Sequence, residues 1–456
     1  MSNMKEKKTL KSLLLIVDIV LIMLAYIAAF YLRYDEIPQR NWESFVSLMP
    51  WIALLALFFL SINELYSINR KTIWDMIRSL FVSMTLLSFL TMSISFLFRE
   101  FALPRSVILI AYILSLLFLS LWKSTFVFFG HRNEKIRMLL VADEEEAAKL
   151  VSQIKTSTLR TKITHIQPNT ELSRIFQLIE DHDSIMLSSN TDQEKRTQLL
   201  YHAMKANKII YVVPSLYDLL LSKSAITQLD DSMVMAVKPF GLTIDERFIK
   251  RVFDILLSGI GLIFFTPLML LTFIVIKLDS PRGSVMYKQK RIGQNNKVFT
   301  ILKFRTMVED AEVHTGPTLA VQNDPRITRV GRFLRRWRLD EIPQIINVLK
   351  GEMSIVGPRP EREFFTRTLN QQYESYQYRN TVKPGITGYA QIMGNYTTNV
   401  QDKLVFDLYY IRNYSLWMDI VIILRTLSVV MDRTKSEGHK QKTELTKPNN
   451  AMKMDA

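Results

Sequence analysis

Cysteine is missing from all 456 residues, so the chain can build no disulfide, thiol nucleophile or cysteine-ligated zinc site. The six histidines, His131, His165, His182, His202, His314 and His439, are scattered without metal-ligand spacing, which argues against histidine chemistry. Glycine is nearly absent from the first half: Gly130 alone precedes Gly241, and the other thirteen lie between Gly241 and Gly438. Negative charge is missing from residues 326–338, which hold six arginines and no Asp or Glu. The formal charge of +15 suits anionic lipid head groups and phosphorylated ligands alike.

Four long stretches are nearly free of charge. Residues 12–31, 45–66, 80–98 and 107–129 each reach about the ~20 apolar residues a bilayer requires, with single intrusions such as Asp18 and Lys123. The first is too long for a signal peptide and lacks a small-residue cleavage site, so it is expected to stay in the membrane. Lys5, Lys7, Lys8 and Lys11 precede it, Arg70, Lys71 and Arg78 separate the second and third, and His131, Arg132, Lys135 and Arg137 follow the fourth. The loop carrying Asp35, Glu36, Arg40 and Glu43 has no basic excess. Basic flanks mark the cytoplasmic side, so the N-terminus and everything after residue 129 are expected in the cytoplasm.

Residues 137–238 alternate short apolar runs (138–141, 184–187, 209–213) with helical patterns (144–154, 194–206), the signature of a small parallel α/β domain. A dinucleotide site needs a glycine-rich turn after the first strand, and here that turn reads Ala142, Asp143, Glu144. Acidic residues there would repel a pyrophosphate, so a structural or regulatory role is the better reading.

A fifth apolar run, residues 252–276, is a spanning helix by length alone. Both flanks are basic, however: Lys250 and Arg251 before it, and Lys277, Arg282, Lys288, Lys290 and Arg291 after it. Both ends then belong in the cytoplasm. Pro267, after Thr266, removes a backbone hydrogen bond near the middle. A helix that enters the membrane, breaks and returns meets both facts, provided that Thr266 or neighbouring protein satisfies the freed backbone. Beyond it, residues 297–307 read as a strand that puts Lys303 and Arg305 on one face. Residues 416–431 contain Asp419 and Arg425, which favours an amphipathic helix lying on the membrane.

Directly after the arginine run stand Asp340 and Glu341. Nearby guanidinium groups favour the ionised form of both, and an ionised carboxylate can act as nucleophile or metal ligand. The bland alternative is a helix cap: residues 341–349 read as a short helix with Asp340 as N-cap, Pro343 in its first turn and Gly351 as its stop. The arginines, Lys303 with Arg305, and the rigid Pro358, Arg359, Pro360 element together favour an anion site. Glu309, Asp310 and Glu312 are weaker metal candidates, with a solvated helix face as their default.

At these residues the chain resembles the bacterial sugar transferase family, the monotopic phosphoglycosyl transferases, in its long four-span branch. The resemblance rests on the basic start and Thr266-Pro267 break of the fifth run, KQKRIGQNNKVFTILKFRTM from Lys288, DPRITRVGRFLRR from Asp324, LDEIPQIINVLKGEMSIVGPRP from Leu339 and KPGITGYAQ from Lys383. It implies four transmembrane helices (1–130), a Rossmann-like cytoplasmic α/β domain (131–240) and a mixed α/β catalytic domain (241–435) held by a re-entrant helix at 251–277 with interfacial amphipathic helices; the polar, aperiodic residues 436–456 read as a disordered tail. The implied reaction moves a hexose 1-phosphate from a UDP-sugar to undecaprenyl phosphate in the bacterial inner membrane, releasing UMP, as a first step of exopolysaccharide, capsule or O-antigen synthesis. By the same resemblance Asp340 is the nucleophile, Glu341 and Asp340 hold Mg2+, Arg335 and Arg359 grip phosphates with Lys303 and Arg305 as further substrate contacts, and Pro358 and Pro360 shape the nucleotide pocket. Membrane lipids are implied partners and a homodimer is allowed.

Three other readings compete. A catalytically silent membrane scaffold would tolerate Asp340→Ala. RNA binding by the arginine run is disfavoured because Phe333 and Trp337 are its only stacking aromatics; no nucleic acid is expected. Ordinary glycosyl transfer would release UDP in place of UMP.

Overall fold

The computed structural model describes residues 2–63, 65, 73–97, 103–130, 136–155, 161–309, 324–394 and 398–431. The expected tail, and Asp310 and Glu312, lie outside these. Two compact units divide between Leu221 and Ser222, so residues 222–240 fall in the second unit, whereas the sequence reading grouped them with the middle block.

The first unit opens with α1 (Ser2–Arg33), α2 (Gln39–Ile62), α3 (Ile73–Leu97) and α4 (Arg105–Gly130), each long and apolar enough to cross a membrane. α1 packs on α4, and α3 on both α2 and α4. The two intruding charges find each other: Lys123 Nζ and Asp18 Oδ2 stand 2.6 Å apart, both fully buried between α1 and α4. In an apolar surround such groups are tolerated only as partners. Asn63 at the end of α2 likewise donates to Ser83 Oγ of α3 at 2.9 Å.

The chain continues through β1 (Ile136–Val141), α5 (Glu144–Lys155), β2 (Thr161–Ile166), α6 (Leu172–Asp181), β3 (Ser184–Leu187), α7 (Gln193–Lys205), β4 (Ile209–Val212) and α8 (Leu216–Leu221). The four strands form a parallel sheet in the order β2-β1-β3-β4. Leu139, Val141, Ile185 and Leu187 of the central strands pack on Ile175, Ile179 and Leu199 of the helices. β2, with the sequence Thr-Lys-Ile-Thr-His-Ile, lacks an apolar run and was not anticipated. In such a sheet a ligand would enter beyond β1 and β3, where the strand order reverses. There the Glu146 carboxylate accepts hydrogen bonds from the Ser188 and Ser189 hydroxyls, an anion at the spot a pyrophosphate would need. Several apolar helices together with this parallel sheet fit a membrane α/β protein.

The second unit begins with an antiparallel hairpin of β5 (Ala225–Leu229) and β6 (Ser232–Ala236), then α9 (Ile244–Asp279). α9 starts eight residues before the apolar run, because Thr243 and Glu246 form a capping box. It stays helical through Pro267, so the break expected at Thr266 and Pro267 does not interrupt the helix: α9 is continuous over its 36 residues. Thr266 Oγ1 donates to the Leu262 carbonyl at 2.6 Å.

β7 (Met286–Ile292) and β8 (Val298–Phe304) pair antiparallel. α10 (Arg329–Arg336), a single 3-10 turn at Leu339–Glu341, α11 (Gln344–Lys350), β9 (Ser354–Val356), α12 (Glu363–Gln372), β10 (Gly385–Thr387), α13 (Tyr389–Met393), α14 (Val400–Arg412) and α15 (Leu416–Val430) complete the unit. α9 meets this unit near both its ends. Arg251 caps α11 through the Val348 and Leu349 carbonyls at 2.6 and 2.8 Å, complementing that helix's negative end. Asp254 Oδ1 accepts from Ser354 Oγ and the Ile355 N–H of β9, both at 3.0 Å. Near its far end Ile276 packs with Val285, Phe304 and Leu334.

In α15 Asp419 is fully buried and takes Lys250 Nζ at 2.6 Å and the Tyr410 hydroxyl at 2.7 Å, so this charge marks an inward contact with α9.

Removing one member of the Asp18–Lys123 pair leaves the other buried alone. Lys123→Met is expected to cost about 3 kcal/mol or more, and the double change Asp18→Leu with Lys123→Leu distinctly less. Thermal unfolding of the detergent-solubilised protein checks the ranking.

Candidate active site

Arg338, immediately before the carboxylates, sits in the left-handed region at φ 53°. A bulky side chain rarely adopts that conformation, and here it reverses the chain between α10 and the turn that carries Asp340 and Glu341. The α-helical assignment begins only at Gln344, with Pro343 as N-cap and Gly351 in the left-handed stop. Asp340 is therefore not the N-cap expected of it, which leaves its carboxylate uncommitted.

The two carboxylates have unequal surroundings. Glu341 is buried, and its Oε1 accepts Lys303 Nζ of β8 and Arg359 Nη2, each at 2.8 Å. Burial alone would raise its pKa, but Arg359 and Lys303, with Arg338 nearby, hold it well below the usual carboxylate range. Asp340 is half-buried and its carboxylate makes no hydrogen bond to any described residue. Burial and the neighbouring Glu341 charge raise its pKa, against the pull of Lys303, Arg335 and Arg359. The uniform ionisation expected from the arginines thus holds for Glu341 and is opposed at Asp340. Two adjacent acids are driven apart by environment.

Arg359 lies on a strap whose carbonyls are tied down one after another. Pro358 O accepts the Gly385 N–H at 2.9 Å, Arg359 O accepts Arg379 Nη2 at 2.9 Å, Pro360 O accepts Arg291 Nη1 at 3.1 Å, and Glu361 O accepts the Ile292 N–H at 3.1 Å. Arg379 is itself clamped by Asp407 Oδ2, through Nε at 3.1 Å and Nη2 at 2.9 Å, and by the Tyr376 hydroxyl at 2.9 Å. Burial pushes Arg291 down to about 10 and Tyr376 up to about 12. The strap can lie this close to β10 because Gly385 has no side chain: a Cβ there would overlap the Gly357 nitrogen.

Arg335 reaches the same region from α10. Its Nε donates to Thr306 Oγ1 at 2.7 Å and its charge acts on Asp340. α10 approaches Thr306 because Gly331 faces the Thr306 carbonyl with no room for a Cβ. Arg305 does not join. It lies one residue beyond the end of β8, and its Nη2 donates to Ser280 O at 2.8 Å, closing the C-terminus of α9. The shared face expected for Lys303 and Arg305 ends with the strand. Thr266 and Pro267 remain in α9. Arg379, Asp407 and Tyr376 were missed, since nothing in their local sequence separates a buried clamp from surface polarity.

The site thus offers one uncommitted carboxylate and one ionised carboxylate beneath three cations. It could bind a polyanion and present Asp340 to it. Among the described residues no three His, Cys, Asp or Glu gather to hold a metal ion. Asp340 and Glu341 offer two carboxylates, which suffices for a Mg2+ whose remaining ligands come from phosphates and water.

Residues 245–433 match the family model described as bacterial sugar transferase. The chain is 40% identical over 225 residues to a UDP-N-acetylgalactosamine-undecaprenyl-phosphate N-acetylgalactosaminephosphotransferase of Aeromonas hydrophila, covering 49% of this chain and 52% of that protein. It therefore spans about half the length of that relative. It is 38% identical over 213 residues to the exopolysaccharide production protein ExoY of Rhizobium meliloti, covering 43% of this chain and 88% of that one. Over 435 residues it is 26% identical to a UDP-galactose-lipid carrier transferase of Erwinia amylovora, 87% of this chain and 90% of that protein.

Gly385→Ala is expected to force β10 from the strap and cost about 1–3 kcal/mol, read as a lowered unfolding temperature.

Proposed function

The chain belongs to the bacterial sugar transferase family, and from that premise we propose that it moves a sugar 1-phosphate from a UDP-sugar to undecaprenyl phosphate through a covalent intermediate on Asp340. The observation that carries the reading is the contrast between Asp340, whose carboxylate has no hydrogen-bond partner among the described residues, and Glu341, gripped by Lys303 and Arg359.

In the first step an Asp340 oxygen attacks the phosphorus that bears the sugar. The bond from that phosphorus to the bridging oxygen breaks, and UMP leaves with its electron pair. In the second, an oxygen of the lipid phosphate attacks the same phosphorus, and the acyl-phosphate bond breaks to restore the carboxylate and give a lipid diphosphate sugar. Arg335, Arg359 and Lys303 offset the charge that gathers on phosphoryl oxygens during both displacements. Glu341 keeps Lys303 and Arg359 together beside the nucleophile. Pro358 and Pro360 stiffen the strap and hold Arg359 in position. Asp340 and Glu341 would hold Mg2+; bound there, it would neutralise diphosphate charge.

The lipid substrate suits a site beside α9. Apolar side chains such as Leu256, Ile263, Phe264 and Leu271 face outward from that helix, while Arg251, Asp254 and Ile276 contact the catalytic unit on either side of Pro267. Contacts to the same unit from both ends support a helix that dips into the membrane and returns, with the catalytic unit on the cytoplasmic side of a bacterial inner membrane. On this reading α1–α4 span that membrane and the β1–β4 sheet is a Rossmann-like cytoplasmic domain. The donor sugar differs between relatives, N-acetylgalactosamine in one name and galactose in another, and a panel of UDP-sugars identifies it here.

Asp340→Asn is expected to fold and bind membrane while losing transfer at least about a thousandfold. Wild type given UDP-sugar alone should carry phosphosugar on Asp340; a normal turnover by the Asn variant would remove it as nucleophile. Release of UDP in place of UMP would convert the reading to ordinary glycosyl transfer. The raised pKa of Asp340 also fixes a pH dependence. Only the ionised form attacks, so activity should fall as pH drops through a value above the usual aspartate range, while Glu341 stays ionised. A rate profile on the acid side tests this. Chelation of Mg2+ should abolish transfer and its re-addition restore it.

A further inference from the structure

The chain is helical or nearly so from Leu339 through Lys350: Ile342 and Pro343 have helical backbone angles between the 3-10 turn and α11. Glu341, Gln344 and Asn347 therefore recur at one-turn intervals along one side. The two outer members are fully engaged with or beside β8. Glu341 takes Lys303. Asn347 Oδ1 accepts the Leu302 N–H at 3.0 Å, while its Nδ2 donates to Thr300 O at 2.8 Å and to Glu352 Oε2 at 2.7 Å.

Gln344, between them, is only 2% exposed, and its Nε2 has no hydrogen-bond partner among the described residues. Buried amides nearly always find partners, since an unmade bond leaves the full desolvation cost in place. Gln344 follows Asp340 by four residues and Glu341 by three, one helical turn along from the pair that would hold the phosphoryl group. We propose that Gln344 is a further substrate-contacting residue, whose side-chain N–H donates to a phosphoryl oxygen of the sugar phosphate while it is on Asp340 and as it is transferred. The inference rests on the covalent reading above and adds a neutral donor to its cationic ones. A neutral donor orients the phosphoryl group without tightening the grip on the departing UMP.

The test uses the full chain in detergent or lipid. Gln344→Met keeps the volume and removes the amide. A donor aimed at substrate predicts an unchanged or raised melting temperature, because an unbonded buried group is gone, together with a loss of about ten- to a hundredfold in the rate at which UDP-sugar loads phosphosugar onto Asp340. Loading within twofold of wild type would overturn the proposal, as would a melting temperature that falls together with the rate, since the amide would then have a structural partner. Locating the label separates the two layers. If wild type loads no phosphosugar on Asp340, the covalent reading fails; if it loads there and Gln344→Met loads equally fast, this inference alone fails.

Discussion

Glu341 draws one cation from each of two separate segments, Lys303 from β8 and Arg359 from the strap after β9. A buried carboxylate with a single partner would be a liability, because desolvation would outweigh one contact. With two it stays ionised and fixes the distance between the segments. Much of the surrounding architecture keeps those segments in reach: the tied carbonyls of the strap, the Arg379–Asp407 clamp behind it, and the glycine contacts that bring β10 and α10 close. The identity of the bound anion is secondary to this frame. Its charge pattern exists before any ligand arrives, which is the condition for electrostatic stabilisation without reorganisation at the moment of reaction.

α9 is tied into that frame. Lys250, Arg251 and Asp254 are charged residues at the start of the apolar stretch of α9, and each is spent on the catalytic unit: Lys250 on Asp419 and Tyr410, Arg251 on the end of α11, Asp254 on β9. The last of these acts three residues before the strap. The helix and the anion site are thus one packed object, and a change in how the helix sits would be felt at Arg359.

Features with a period, a run or a breaker were legible in the sequence. The four apolar helices, the parallel alternation of the middle block, the Gly351 stop and the Asp340–Glu341 pair beside arginines all came from such signals. What escaped lacked a local signature. β2 has no apolar run, Asp419 looks the same whether it faces water or Lys250, and Arg305 parts from Lys303 only because β8 stops at Phe304. The ionisation of Asp340 was misjudged for a related reason. Counting arginines estimates attraction, while burial and the adjacent Glu341 charge, which oppose it, exist only once the chain is folded. The capping box at Thr243 and Glu246 was visible as a spacing and would have moved the start of α9 eight residues earlier.

The Asp18–Lys123 pair has a consequence for how the protein is made. Its members are more than a hundred residues apart, and ribosomes add about 5–20 residues per second. The first helix must therefore wait on the order of ten seconds for the lysine that completes it. During that interval Asp18 lies in an apolar helix without the lysine that pairs with it. The contact that neutralises the buried charge of α1 therefore forms only once α4, the last helix of the apolar group, has been made.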